Sequence, residues 1–514
     1  MNPAVQLFVG GFTRFVQGFC AAAPTLLVGL FIAAILRYYV GRNGTRRLFG
    51  GDSIRQLPQS WLIGMLLPVC SIGVLPILRE MRRAGIKPGA MSAFALSAPL
   101  FNPLSLLYGL TLSRPLVIIL FAAGSLLIVT VLGLVWDAID RRSKLTSASP
   151  SVPDELHVIG LRRLAAMLMQ LGRETTGLTM LSVALALFGL FALAAVLPFG
   201  SMQTSVEQSD PWAPLTMTGV AVPAYATPML AMSQLGMMFQ HGNSPGAAFA
   251  LLILGTGLNL ATIVWFGSQF GWKPTLIWGT SLLTIVLSLS YVMNQPLIPP
   301  GIQPAGHTHA FDIYSNPLSD YHDNAWRTFW ETVENNSGLA ETLSIVGIAL
   351  LGTFGLLLRI LGLDESKLSA SPAAGGLDRV VPRSVMGTTM LSGLVAFSVV
   401  ACFAYYPSTE ECLAEISIAR AECLSASMSG NTEHALFWLP VWEDWSRKLE
   451  VGTFLRRGTL RRYQQMQGYL IRKKLELLEH ELEHDEVHQD EVLDIVHEIL
   501  ATNRRWVASF KPSN

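Results

Sequence analysis

Cys70 and Ser71 lie between Pro68 and Pro76 in an otherwise apolar run. A thiol held there is a soft ligand suited to a thiophilic metal or metalloid, although a buried Cys also serves as a small apolar filler. The run has a counterpart. Pro68-Val69-Cys70-Ser71 leads through Pro88-Gly89-Ala90 to Asn102-Pro103-Leu104-Ser105, and Pro223-Ala224-Tyr225-Ala226 leads through Pro245-Gly246-Ala247 to Asn259-Leu260-Ala261-Thr262. The Pro-Gly-Ala and the Asn are equally spaced in both copies. Interrupted hydrophobic segments at corresponding places in two halves point to a transporter with its binding site between the repeats.

If the interruptions meet near the bilayer midplane, Cys70 and Ser71 come close to Tyr225 and Thr227, with Asn102, Ser105, Asn259 and Thr262 on broken helices behind them. These residues are the candidate substrate contacts. A Pro-broken helix also exposes end N–H or C=O groups that can bind a solute. The competing reading is that Ser, Thr and Asn only join helices and satisfy the freed backbone. Repetition across the halves, rather than any one side chain, favours a site.

Histidines offer a second chemistry. His307 and His309 flank Thr308 in a long polar loop with Asp312, His322 and Asp323 nearby, and such alternation can bind zinc or copper. Further on, 464–500 reads as one long helix with an apolar stripe at Ile471, Leu475, Leu478 and Leu482, resumed by Val492, Val496 and Ile499 after polar Asp485 and Gln489. Such a helix suits a short coiled coil or a docking face, and it places His480, His484 and His488 on one side. Solvated polar surface is the alternative in both places, since nothing in the spacing closes a coordination shell. Among the five cysteines, Cys412 and Cys423 in the tail are close enough in sequence to suggest a pair.

Apolar spans must position these groups. The 514 residues are 51% hydrophobic and 14% charged, which marks an integral membrane protein and gives no case for a nucleic-acid partner. Runs near 15–36, 89–112, 115–136, 175–197, 246–267, 274–293, 339–358 and 384–406 are about long enough to cross a bilayer, and runs near 58–78 and 215–238 are broken by prolines. The first run is too long for a signal-peptide core and reads as a retained helix. Arg37, Arg42, Arg46, Arg47 and Arg55 precede the first broken run, and Arg79, Arg82, Arg83 and Lys87 follow it, whereas 175–272 contains no Lys or Arg. By the positive-inside rule the first broken run enters and returns on the cytoplasmic side and the second on the opposite side. The repeats are then inverted, each opening with a whole helix marked by Gly29-Leu30-Phe31 or Gly189-Leu190-Phe191. Loop and tail fall outside the cytoplasm, and the tail moves inside if the first broken run crosses fully.

The run Gly64-Met65-Leu66-Leu67-Pro68-Val69-Cys70-Ser71-Ile72-Gly73-Val74-Leu75-Pro76, followed by Arg82-Arg83-Ala84-Gly85, Pro88-Gly89-Ala90 and Ala98-Pro99-Leu100-Phe101-Asn102-Pro103, resembles the predicted-permease family that includes bacterial organoarsenical efflux permeases. In that family the motif reads P-x-C-S-C-G, which the resemblance places on Pro68, Cys70, Ser71 and Gly73. Ile72 stands where a second cysteine is expected, so the motif offers one thiolate where a trivalent organoarsenical wants two.

The expected architecture is an all-α polytopic membrane protein with two inverted repeats, each with a Pro-broken re-entrant hairpin, and an extramembrane helical tail. Its boundaries are 1–140 for the first repeat, 141–174 for a cytoplasmic linker, 175–293 for the inverted second repeat, 294–338 for an extracytoplasmic loop, 339–406 for two further spans and 407–514 for the tail. The expected function is a permease of the bacterial inner membrane that exports a thiophilic metal or metalloid, such as a copper- or zinc-like ion or an arsenical, by alternating access. The alternatives are a permease for another small solute such as a sulfur compound, and a non-transporting anchor whose tail binds metal or a partner. Neither a G-x-x-x-x-G-K-[ST] loop nor an H-E-x-x-H helix is present, so the chain is not expected to be an enzyme. No cofactor is expected. Expected partners are a small inorganic or organometalloid substrate, the lipid bilayer and a second copy through the tail.

Overall fold

The computed structural model describes residues 3–51, 55–112, 115–144, 161–198, 200–203, 206–294, 308–318, 325–335, 337–363, 383–483 and 487–511. They fall into two compact units, one of Met1–Ser105 with Ile119–Phe397 and one of Leu106–Ile118 with Ser398–Asn514.

The long apolar sequence of α1 (Pro3–Ile35) carries it through Pro24 and a π-helical turn (Leu36–Val40) into α2 (Gly41–Leu48). Next come α3 (Gln56–Leu66), α4 (Val74–Arg83), α5 (Pro88–Ser97), α6 (Pro103–Leu112) and α7 (Pro115–Lys144). The amphipathic α8 (Leu161–Thr175) precedes α9 (Leu178–Val196), α10 (Ala213–Ala221), α11 (Pro228–His241) and α12 (Pro245–Ala250). A π-helical turn (Leu251–Thr256), α13 (Leu260–Phe270) and α14 (Trp272–Val292) follow. A 3₁₀ turn (His309–Tyr314), α15 (Ala325–Asn335), α16 (Leu339–Ile360) and α17 (Arg383–Tyr405) complete this series.

Six helical stretches among the described residues are long and apolar enough to cross a membrane: Ala4–Leu48, Pro115–Asp140, Leu178–Val196, Trp272–Val292, Leu339–Ile360 and Gly387–Tyr405. A seventh candidate is Pro245–Thr256 with Leu260–Phe270, bent by 57°. The chain is an all-α polytopic membrane protein.

Prolines shape the breaks in two ways. Pro68 and Pro223 lie in non-helical segments, 67–73 and 222–227, where an N–H would have no ladder to join. Pro76 and Pro228 do not break anything, because each lies in the first turn of the helix that follows, where a missing N–H is harmless. The run 89–112, expected as a span, is itself broken between α5 and α6 at 98–102.

Each broken pair returns to the end it started from. Gln56, at the start of α3, donates to Asp137 in the last turns of α7 (2.8 Å), and so does the backbone N–H of Gly89 at the start of α5 (2.9 Å). Only the short turn 84–87 separates α4 from α5, so the start of α3 and the end of α4 lie together. In the second half, Tyr291 donates to the Pro211 carbonyl (2.9 Å) just before α10, and Ser244, just after α11, donates to Asn294 (2.7 Å). Both ends of α10–α11 therefore lie beside the C-terminus of α14.

In the second unit, α18 (Thr409–Met428), α19 (Thr432–Arg457), α20 (Arg462–Glu483) and α21 (Gln489–Phe510) share one core. The expected single helix over 464–500 is not formed, because His488 is the N-cap of a separate helix. Ile471, Leu475, Leu478 and Leu482 bury against Val492, Val496 and Ile499 in the same core, so the stripe folds back on itself. Cys412 and Cys423 are both buried free thiols on α18, and eleven residues of helix separate them by about 16 Å, too far to pair. Burial pushes their thiols up, to about 11 and about 12.

Candidate substrate site between the broken helices

The local sequence builds four helix starts around the breaks. Asn102 caps α6, its side-chain oxygen accepting the Ser105 N–H (2.7 Å) while the Ser105 hydroxyl oxygen accepts the Asn102 N–H (3.0 Å). Asn259 caps α13 in the same way, accepting from the Thr262 N–H (2.8 Å) and the Thr262 hydroxyl (3.1 Å). Thr227 caps α11 by accepting the Leu230 N–H (3.3 Å). Just before α4 the acceptor is sulfur: the Cys70 Sγ accepts the N–H of Gly73, the residue that precedes the helix (3.4 Å). Five of the predicted contacts, Asn102, Ser105, Thr227, Asn259 and Thr262, thus have a capping role that accounts for part of their chemistry.

Contacts between the breaks bring these starts together. Tyr225 at the second tip is a direct neighbour of Cys70 at the first. The Ala226 N–H donates to the Gly255 carbonyl in the π-helical turn (3.1 Å). A Cβ on Gly257 would lie 3.1 Å from the Leu96 carbonyl of α5, and one on Gly64 would lie 2.2 Å from the Ser97 hydroxyl, so the break after each Pro-Gly-Ala helix touches its neighbours backbone to backbone. Cys70, Ser71, Tyr225, Thr227, Asn102, Ser105, Asn259 and Thr262 are all buried.

The Ser71 Oγ has no hydrogen-bond partner, the Tyr225 hydroxyl has only the Cys70 thiol, and the Asn259 Nδ2 again has none. Their residues are 1%, 2% and 0% exposed. Interior polar groups are almost always partnered, so each of these is a candidate contact for a further molecule.

The whole helices flank the site. A Cβ on Gly29 of α1 would lie 2.2 Å from the Gly73 carbonyl, and one on Gly189 of α9 would lie 2.1 Å from the Pro223 carbonyl. The shared Gly-Leu-Phe marks the point where each whole helix meets its broken neighbour. Gly18 faces Leu187, Leu190 and Tyr225. At about 100° per residue, Cys20 is turned roughly 200° from that face, so α1 does not bring a second thiol to Cys70.

Sequence reasoning missed the residues that hold the broken pairs at their ends. Asp137 and Asn294 are one such pair, and both lie 48 residues after the glycine of a Pro-Gly-Ala, a spacing that could have disclosed them. Gly133 and Ser290, whose carbonyls lie against Gly89 and Gly246, are both 44 residues after it. A second group is the segment 308–318. Gln234 of α11 donates to the Ala310 carbonyl (2.8 Å) and accepts from the Tyr314 hydroxyl (3.1 Å), and Arg14 donates to the carbonyls of Ser315 (3.0 Å) and Asp312 (2.5 Å).

Among the described residues the histidines are not brought together. His309 pairs with Asp312 (2.8 Å) beside Gln203, which fastens the 3₁₀ turn. His480 ends one tail helix and His488 precedes the next, so the one-face arrangement fails. His307 and His484 lie outside the described residues. Among the described residues no group of three His, Cys, Asp or Glu side chains is placed to hold a metal ion.

Residues 12–295, more than half of the chain, match the family described as predicted permease. A protein of Bacillus subtilis (strain 168), UPF0718 protein YcgR, is 29% identical over 92 residues, which are 18% of this chain. The chain thus spans about a third of that relative's length, 31%. No solved structure matches. The matched residues contain α3 to α6 and α10 to α13, with every side chain of the cluster, and the chain belongs to the predicted-permease family.

Proposed function

We propose that this permease exports a small thiophilic solute, a metal or metalloid species, by alternating access in the bacterial inner membrane. The observation that carries the reading is the meeting of two Pro-broken helix pairs at Cys70 and Tyr225, with buried, unpartnered polar atoms beside them. Irregular backbone at membrane depth is tolerated only where it is buried in protein, as here, or lines a water-filled cavity. The pair α3–α4 is tied at its ends to α5 and α7, and α10–α11 to α14, so the two behave as inverted repeats that rock about the fixed tips. The end of α6 and the start of α7 belong to the same compact unit as the tail, which supports an extracytoplasmic tail once the first pair is re-entrant. Export fits a solute that would otherwise attack cytosolic thiols. The test is growth of a deletion strain carrying the wild-type or Cys70→Ser chain against a panel of soft metals and metalloids. Protection by wild type and none by Cys70→Ser supports the reading; equal protection removes Cys70 from the mechanism.

A further inference from the structure

We infer that the site recognises its solute through oxygen acceptors, taking a small oxyanion and not a bare metal cation. The inference rests on the permease reading and names the substrate class of the same site.

Four helices begin at the breaks: α4 after Gly73, α6 after Asn102, α11 after Thr227 and α13 after Asn259. Each is at least ten residues long and turns its amino-terminal end, the positive end of its dipole, toward the cluster. None of the cluster's eight side chains is a carboxylate that would offset this potential.

The unpartnered groups agree with the dipoles. Asn259 spends its oxygen on the Thr262 N–H and hydroxyl, so the group left over is the amide NH2, which can only donate. The Ser71 hydroxyl, also unpartnered, and the Tyr225 hydroxyl, whose one partner is the Cys70 thiol, are donors as well. Tyr225 reaches the turn that leads into α4, because its neighbour Cys70 supplies the sulfur that accepts the Gly73 N–H. A cation entering here meets positive helix ends and donors, with one sulfur already engaged. An anion with several oxygens meets each of these groups with an acceptor, and a soft central atom can still rest on Cys70. The missing second thiol at position 72, occupied by Ile72, is consistent with recognition through oxygens instead.

The experiment measures flux of selenite, thiosulfate, Cu(I) and Zn(II) into proteoliposomes that hold the full chain. Saturable flux of selenite or thiosulfate is expected, with none of either cation. Asn259→Asp keeps an oxygen on the α13 cap but replaces the amide donor by a carboxylate, and it should lower anion flux by about tenfold or more, the scale of one charge-assisted hydrogen bond. Asn259→Ser, which also keeps a capping oxygen, should lower it in the same direction and stands in if Asn259→Asp does not fold. Saturable cation flux without anion flux overturns the oxyanion assignment and leaves the permease standing, as does anion flux undiminished in both Asn259 variants. If none of the four probes moves, the oxyanion assignment falls, and the resistance panel decides the permease reading separately.

Discussion

Tyr225 and Cys70 meet tip to tip across the two broken helix pairs, and the Cys70 thiol is the one side-chain partner of the buried Tyr225 hydroxyl. A buried hydroxyl whose only partner is a weakly hydrogen-bonding thiol recovers little of its lost hydration, a deficit of about 1–3 kcal/mol. Tyr225→Phe should therefore leave the melting temperature of the detergent-purified protein unchanged or higher while solute flux falls several-fold. Parallel loss of both would give the hydroxyl a structural role only.

Gly89 and Gly246 are equivalent positions with equivalent tight contacts. A Cβ would lie 2.4 Å from the Gly133 carbonyl in one case and 2.3 Å from the Ser290 carbonyl in the other. Backbone cannot retreat as a flexible side chain can, so Gly89→Ala and Gly246→Ala should each destabilise the protein by roughly 1–3 kcal/mol. Thermal unfolding in detergent checks this, and a neutral result at either position would break the equivalence of the two halves.

Much of this arrangement was legible in the chain, for a physical reason. Proline and glycine act locally, so the breaks at Pro68 and Pro223 and the paired Pro-Gly-Ala helices show in residue type alone. The capping roles of Asn102 and Asn259 follow from their places just before helices. Asp137 and Asn294 were not legible as partners, since they are held by residues about fifty positions away. The tail reversal before His488 was hidden because the apolar stripe keeps helical spacing across the turn, and periodicity does not say whether a helix continues or folds back.

Arg79 of α4 bonds to Glu174 (2.6 Å) and to Thr179 (2.7 Å), and Thr179 also donates to Glu174 (2.6 Å). This half-buried network fastens the end of α4 to the junction of α8 and α9. If one repeat moves against the other, Arg79→Gln should loosen that end and raise the labelling rate of Cys70 from the cytoplasmic side. The exchange Arg79→Glu with Glu174→Arg should restore part of the wild-type rate. Identical rates in all three proteins would exclude the network from gating.

In the tail, Ser408 and Glu411 form a capping box at the start of α18, and the Ser408 N–H and hydroxyl hold the Glu411 carboxyl below its ordinary 4.5. A depressed acid stabilises the fold above its unfolded pKa and loses that contribution as pH falls through the lower folded value. Amide exchange in the first turn of α18 should therefore be protected at neutral pH and lose protection below about pH 4. Glu411→Gln should flatten this dependence, and an unchanged profile would show that other groups set it.

The central claim is that solute passes between the two tips, and Cys70 reports on it directly. The measurement is labelling of a chain whose only cysteine is Cys70, in membranes, by an impermeant thiol reagent added to one side at a time, with and without the transported solute. The account predicts labelling from each side, in exchange, and protection by the solute. A transporting protein in which Cys70 is unlabelled from both sides, or labelled without any protection, would contradict it.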